Sequence, residues 1–306
     1  MGLRIRTNVS SLSAQRHLGT STESVQSSSE KLASGTRINK AADDAAGLAV
    51  SENLRADIRS LNMAKRNAAD GVSIVQTAEG GLNETSNMLI RLRELAIQGA
   101  SDTIGNTERG FLDKEYVALK NEIDRIASVT EFNGTRLLTG NHELPDELRG
   151  GNSFPLEIQV GKDYYDAADA IDQPNQVNII KIDLGSLNAF TDGENSLGIG
   201  KAEEGTRVQS KAESQKSITT LDTAITKIAE YRSYLGAIQN RLGSTIANLN
   251  VTSENLGTAN SRIRDTDFAE ETAKMTSANI LQQAGTAVLS QANQQPRIAM
   301  SLLQNM

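Results

Sequence analysis

The chain has 306 residues, of which 38% are hydrophobic but only 3% aromatic, with no Trp, so its apolar surface comes mainly from Leu, Ile, Val and Ala. Such side chains fill a narrow seam between helices more readily than the wide core of a globular enzyme, which draws on aromatic bulk, and an elongated helical protein is the first expectation. A formal charge of −7 without a basic stripe argues against nucleic-acid binding, and the absence of Cys removes disulfides, thiolate metal sites and cysteine nucleophiles.

The N-terminal stretch MGLRIRTNVSSLSAQ lacks the continuous apolar core of a secretory signal, and no window of the chain reaches the ~18 apolar residues of a membrane span. Met1-Gly2 opens like a myristoylation site, but Arg6 stands where Ser or Thr is required. Leu18, Val25 and Leu32 then recur every seven residues amid Ser and Thr, which are middling helix formers. A helix this poor in apolar area does not offset its own ordering entropy, so it is expected to fold only against partners.

Asp43 and Asp44 precede a long periodic run. They could be a catalytic or metal-binding pair, but a working acid dyad needs an enclosing pocket to separate its two pKa values, and nothing nearby supplies one. The expected role is to start a helix, one acid accepting from free backbone N–H groups and both lying at the positive helix end. Leu61, Ala68, Val75, Leu82, Leu89 and Ala96 follow at intervals of seven, the mark of a coiled-coil seam. Lys65, Glu79, Ser86 and Arg93 lie in the expected companion row, where they either penalise wrong registers or sit at the wet edge. After breaks near 100–106, Leu112, Tyr116, Leu119, Ile123 and Ile126 predict a shorter third helix.

Residues 141–204 change style. Three of the four prolines (Pro145, Pro155 and Pro174) fall here, and two segments alternate with period two: Phe154, Leu156, Ile158, Val160 and Ile180, Ile182, Leu184. A small β-rich, solvent-facing excursion is expected at the tip of a helical hairpin. The second rod returns with Leu221, Ile228, Leu235, Leu242, Leu249, Leu256 and Ile263, about 70 Å long from 218 to 263; Arg232, Gln239, Ser253 and Asn260 are its expected polar companions. Asp267 with Glu270 resembles a capping box ahead of a last weak helix carrying Ile280, Leu281, Val288 and Leu289.

Enzyme motifs fail. HELPDE begins like H-E-x-x-H, but Asp146 replaces the second ligand, His17 and His142 are the only histidines, and the glycines of LGIGKAEEG are wrongly spaced for a phosphate loop. No catalytic, metal or cofactor role is expected.

The segments LASGTRINKAADDAAGLAVSENLRADI (32–58), RNAADGVSIVQTAEGGLNETSNMLIRLRELAIQGA (66–100), NEIDRIASVTEFNGTRLL (121–138) and DTDFAEETAKMTSANILQQAGTAVLSQANQQP (265–296) resemble bacterial flagellins, in order and at both ends. Hook–filament junction proteins are similar in part but tend to carry Pro after the paired acids, where this chain has Ala45; a coiled-coil binding module outside any filament is the other alternative. The resemblance implies a mainly α subunit of the extracellular flagellar filament that polymerises head-to-tail and is exported unfolded, without a cleavable signal, through the flagellar type III apparatus. It implies that 1–42 with 265–306 form coaxial helices of the inner tube, that 43–140 with 205–264 form the coiled-coil rods, and that 141–204 face outwards. It further implies an export chaperone, filament cap and hook-junction proteins as partners, and a patch of Arg91, Leu95 and Glu115 similar to one recognised by a vertebrate innate immune receptor. Neither nucleic acid nor membrane insertion is part of this picture.

Overall fold

A computed structural model describes residues 8–140, 155–163, 178–193, 196–201 and 205–304, with 295–304 as backbone alone. Arg6, His142, Pro145, Phe154 and Pro174 lie outside them. In chain order the elements are α1 (Val9–Ser34), α2 (Ala45–Gly99), α3 (Asn106–Val129), β1 (Glu131–Phe132), β2 (Thr135–Arg136), β3 (Leu156–Gln159), β4 (Ile179–Ile182), α4 (Lys211–Arg264) and α5 (Phe268–Gln304). The fold is mainly α with two small antiparallel sheets. It forms two compact units, residues 1–58 with 254–306 and residues 59–253.

In the second unit, Val75, Leu82 and Leu89 of α2 share one core with Leu221, Ile228, Leu235 and Leu242 of α4; Leu61 and Leu249 are also buried. The companion positions of α2 differ from those expected. The buried set is Ala64, Gly71, Ala78, Thr85 and Leu92, one residue before Lys65, Glu79, Ser86 and Arg93, which are half-buried at the wet edge. The step after Leu61 is three residues and the next is four, the order a heptad seam allows as readily as the reverse. Small companions let other elements approach closely: a Cβ on Gly71 would run into Ile158 Cδ1 of β3. In α4 the polar residues Arg232 and Gln239 likewise lie at the edge, half-buried beside buried Ile238.

In α3 Tyr116 and Ile123 are buried as expected, but the companion row shifts by one. The buried face of the helix is Arg109, Asp113, Tyr116, Lys120, Ile123 and Ala127, while Leu112, Leu119 and Ile126 are only partly covered. Charged residues at core spacing hid this face from a hydrophobic pattern. After α3, Asn133 (φ 51°) and Gly134 (φ 77°) turn the chain between β1 and β2. Positive φ at both central residues matches the hairpin turn that Asn-Gly favours.

β3 pairs with β4, Leu156 opposite Ile182 and Ile158 opposite Ile180. Ile158, Val160, Ile180, Ile182 and Leu184 join the helical core. The described strands of the excursion are therefore anchored inside the unit through one face, because alternating apolar residues must be covered somewhere.

In the first unit, α1 ends at Gly35, which takes the left-handed conformation (φ 71°) and donates its N–H to the Lys31 carbonyl. Arg37 N–H then donates to Arg264 O (2.6 Å) and Thr266 N–H to Gly35 O (3.1 Å), tying the two interhelix links together. Ile38, between them, is fully buried.

Candidate functional site

The acids that open the helices separate by role. Asp44 Oδ1 accepts from Gly47 N–H at 2.8 Å, a side-chain cap on the first turn of α2. Asp43, expected at the same helix start, instead accepts from Asn39 N–H (3.0 Å) and Lys40 N–H (2.9 Å) in the preceding turn. Its side chain points back along the chain because Asp44 already holds the cap position. These bonds, Lys40 first, hold the Asp43 carboxyl below its ordinary range. Asp267 Oδ1 accepts from Ala269 N–H (2.8 Å) and Glu270 N–H (3.2 Å) at the start of α5. The capping box is half made, since the Glu270 carboxylate pairs with Lys274 Nζ (2.7 Å).

α1 and α5 lie antiparallel, with Ser28 against Glu271 near one end and Ser11 against Asn293 near the other. Their contact is poor in apolar bulk: among the described side chains the buried residues are Ser11, Ala14, Ser28, Glu271, Ala278 and Ala292. Leu18, Val25, Leu32 and Leu289 are half-buried. Ile280, Leu281 and Val288 face outwards at 61%, 61% and 58% exposure, joined by Val9, Leu12 and Phe268. Two helices that bury their small side chains while leaving several large ones outside present a surface for further partners. In the rod residues of this unit, Leu256 and Ile263 are half-buried.

The patch on α2 and α3 is an ion-paired surface over a packed floor. Arg91 donates through Nη1 to Glu94 Oε2 (2.9 Å) and through Nε and Nη2 to Glu115 Oε1 (3.0 and 2.8 Å). Glu94 first, then Glu115, raise the Arg91 pKa and keep the guanidinium charged. Leu95 is different: at 1% exposure it belongs to the core, so it cannot offer a side chain to a partner in this conformation. Arg91 lies outside and Leu95 in the core, so the spacing of four does not make the two equally exposed. Exposed apolar neighbours are Ile90, Ile97 and Phe111.

A polar strap missed in the sequence lies along α3. Asp113 accepts from Arg207 Nη2 (2.8 Å), Val208 N–H (3.0 Å) and Gln209 Nε2 (3.1 Å). Burial pushes its pKa up, but Arg207, Val208 and Gln209 outweigh this and hold it below the ordinary range. Tyr116 donates to Thr206 Oγ1 (2.9 Å), and Lys120 Nζ donates to Lys201 O (3.1 Å) and Thr206 O (3.3 Å). Burial lowers the Lys120 pKa to about 8. Arg109 reaches from α3 to the Gly99 and Ser101 carbonyls (both 2.8 Å), satisfying groups that the end of α2 leaves free. The Asp113–Arg207 pair and the buried Lys fasten a loop rather than form a pocket. Among the described residues no group of His, Asp or Glu is placed to hold a metal, and no helix is long and apolar enough to cross a membrane.

Antiparallel terminal helices, heptad rods and an anchored β excursion define a helical assembly protein. Residues 5–143 match the bacterial flagellin N-terminal helical region, and residues 218–303 the bacterial flagellin C-terminal helical region. The chain is 40% identical to the flagellin of Bacillus subtilis over 312 positions, covering 98% of this chain and 100% of that one. It is 39% identical to the flagellin of Halalkalibacterium halodurans over 299 positions, covering 98% and 99%. The crystal structure of Bacillus cereus flagellin is 32% identical, with a TM-score of 0.44 over 60% of this chain and 88% of that one. The chain belongs to the bacterial flagellin family. It is a structural subunit of the flagellar filament, an extracellular structure built by self-assembly.

Proposed function

We propose that α1 and α5 are the polymerisation helices and that they become stably ordered only as subunits stack. The carrying observation is the inversion of their surface: Ser, Ala and Glu inside, with Ile280, Leu281 and Val288 outside. Burying those three side chains against neighbours would contribute roughly 1.5–3 kcal/mol each, which the isolated pair lacks. In this reading 1–42 with 265–306 line the inner tube, 43–140 with 205–264 form the surrounding rods, and 141–204 carry the outer surface on strands rooted in the core. Head-to-tail contacts that do not close give an open helical polymer. The chain performs no catalysis and leaves the cell unfolded through the flagellar export apparatus. An export chaperone holds its C-terminal segment beforehand, and cap and hook-junction proteins meet it at assembly.

Seeded polymerisation tests this reading. Removing residues 1–40 or 270–306 should abolish tubes in electron micrographs while most helical circular dichroism survives; tubes from either truncated chain would overturn it.

The Arg91–Glu115 surface is further proposed to engage the vertebrate innate immune receptor for flagellin, with Leu95 supporting it from beneath. Its exposed, charged groups and the likeness of RLRELAIQ to the family motif support this. Arg91→Ala should lower receptor signalling by monomers at least tenfold, an interfacial charged pair typically contributing more than about 1.4 kcal/mol; Leu95→Ala should lower it through loss of packing. Unchanged signalling from both variants would refute the receptor role.

A further inference from the structure

We propose that Glu271, through its bond to Ser28, sets the register of α1 against α5, and so decides which apolar residues each subunit presents to its neighbours. The inference rests on the reading of these helices as the polymerisation pair.

The seam residues of α5 repeat strictly by seven: Glu271, Ala278, Gly285 and Ala292. The first, second and fourth are buried, and Gly285 lies against Leu18 of α1. Ala, Gly and Ala allow close approach but discriminate poorly, because sliding by one heptad, about 10 Å along the axis, places one small residue where another was. A row of large knobs would resist such a slip; this row does not. Glu271 breaks its symmetry.

Glu271 is 7% exposed and Ser28 3%, and Ser28 Oγ donates to Glu271 Oε1 at 2.7 Å. The carboxylate reaches across to α1 although it sits in the first turn of its own helix. Its other oxygen is 3.7 Å from Lys274 Nζ, which pairs more closely with Glu270. The one-heptad slip that brings Gly35 opposite Glu271 removes the hydroxyl and strands a buried carboxylate, whereas the opposite slip brings Ser21 there, so the bond discriminates against sliding in one direction. A buried polar residue at a seam position specifies register in this way, and the loss of a charged hydrogen bond is a large penalty. Other cross-helix bonds agree with the register but are more exposed: Asn8 Nδ2 to Ala292 O (2.8 Å), Ser11 Oγ to Asn293 Oδ1 (2.8 Å) and Gln282 Nε2 to Thr22 Oγ1 (3.3 Å).

The lack of native Cys makes the test clean. Two cysteine pairs report register in filaments grown from full-length chains, with the reporter subunits a minor fraction among unsubstituted ones. Ser11→Cys with Asn293→Cys reports the observed register, and Ser29→Cys with Gln282→Cys reports the slip of seven that brings Gly35 opposite Glu271, since Gln282 faces Thr22 in the observed register. Without further change, oxidation should cross-link the first pair and not the second. Glu271→Ala and, from the other helix, Ser28→Ala should each raise the slipped-to-native ratio about tenfold, whereas Glu271→Gln, which keeps an acceptor for Ser28, should preserve the native pair.

Native-only cross-links in both alanine variants would overturn the proposal. If the alanine variants are excluded from filaments that still admit Glu271→Gln, that exclusion is also the result expected of lost register; exclusion of the Gln variant with them counts against it. Filaments in which unsubstituted Glu271 leaves the Ser11–Asn293 pair uncross-linked would instead overturn the α1–α5 pairing itself, and polymerisation without the terminal helices would sink only the earlier reading.

Discussion

Asp43 and Asp44 are neighbours that serve different turns. Asp44 caps α2 through Gly47 N–H, and Asp43 ties residues 39 and 40. Asp44→Ala should therefore speed amide exchange at Gly47 about fivefold, equivalent to the ~1 kcal/mol of a lost cap, while Asp43→Ala leaves Gly47 unchanged and loosens Asn39 and Lys40. Equal effects of both variants at Gly47 would show a shared cap. The pair itself was legible as a helix start, but its division of labour was not, because a sequence does not say which of two adjacent carboxylates turns back. Lys120 gives a second test at this scale. Its folded pKa, about 8, lies below the ordinary 10.5, so between those values the unfolded chain binds more protons than the folded one. Stability from this group therefore rises as pH increases from about 8 to 10.5. Calorimetry should find uptake of close to one proton on unfolding in that window, absent in Lys120→Met; an unchanged profile in the variant would assign the uptake to another group.

Among the elements, the rods were the most readable. Leu, Ile and Val at intervals of seven name a seam whatever the rest of the chain does, and the rows from Leu61 to Leu89 and from Leu221 to Leu242 are buried. The companion row was misplaced by one residue because Ala64, Gly71 and Ala78 carry little hydrophobic signal, yet their smallness is what lets β3 approach α2. The companion row of α3 was misplaced for the opposite reason: Arg109, Asp113 and Lys120 hold core positions, and a pattern that reads charge as surface passes over them. Their partners are largely backbone carbonyls and a loop 80 to 100 residues away, contacts that only the folded chain brings together. The Asn133-Gly134 turn is a local signal that went unread: the dipeptide favours a hairpin, and both residues take the positive φ it needs. On the proposed receptor surface Arg91 and Glu115 meet across α2 and α3, a contact the spacing does not reveal, and exposure separates Arg91 from Leu95.

For the whole molecule, a well-packed unit and a sparsely packed one occupy the same chain. Residues 59–253 enclose a continuous apolar core, whereas the described side chains that α1 and α5 fully bury are Ala, Ser and one Glu. In the proposed reading such a pair persists because its missing cover is supplied by copies of the same chain. Backbone ordering costs about 1–2 kcal/mol per residue, and helices with so little buried bulk offset that cost poorly until their outer residues are covered. The most direct test is amide hydrogen exchange across 9–34 and 268–294, compared between a dilute solitary subunit and the assembled filament. Fast exchange in the former and strong protection in the latter is expected; equally strong protection in the solitary subunit would contradict ordering by assembly.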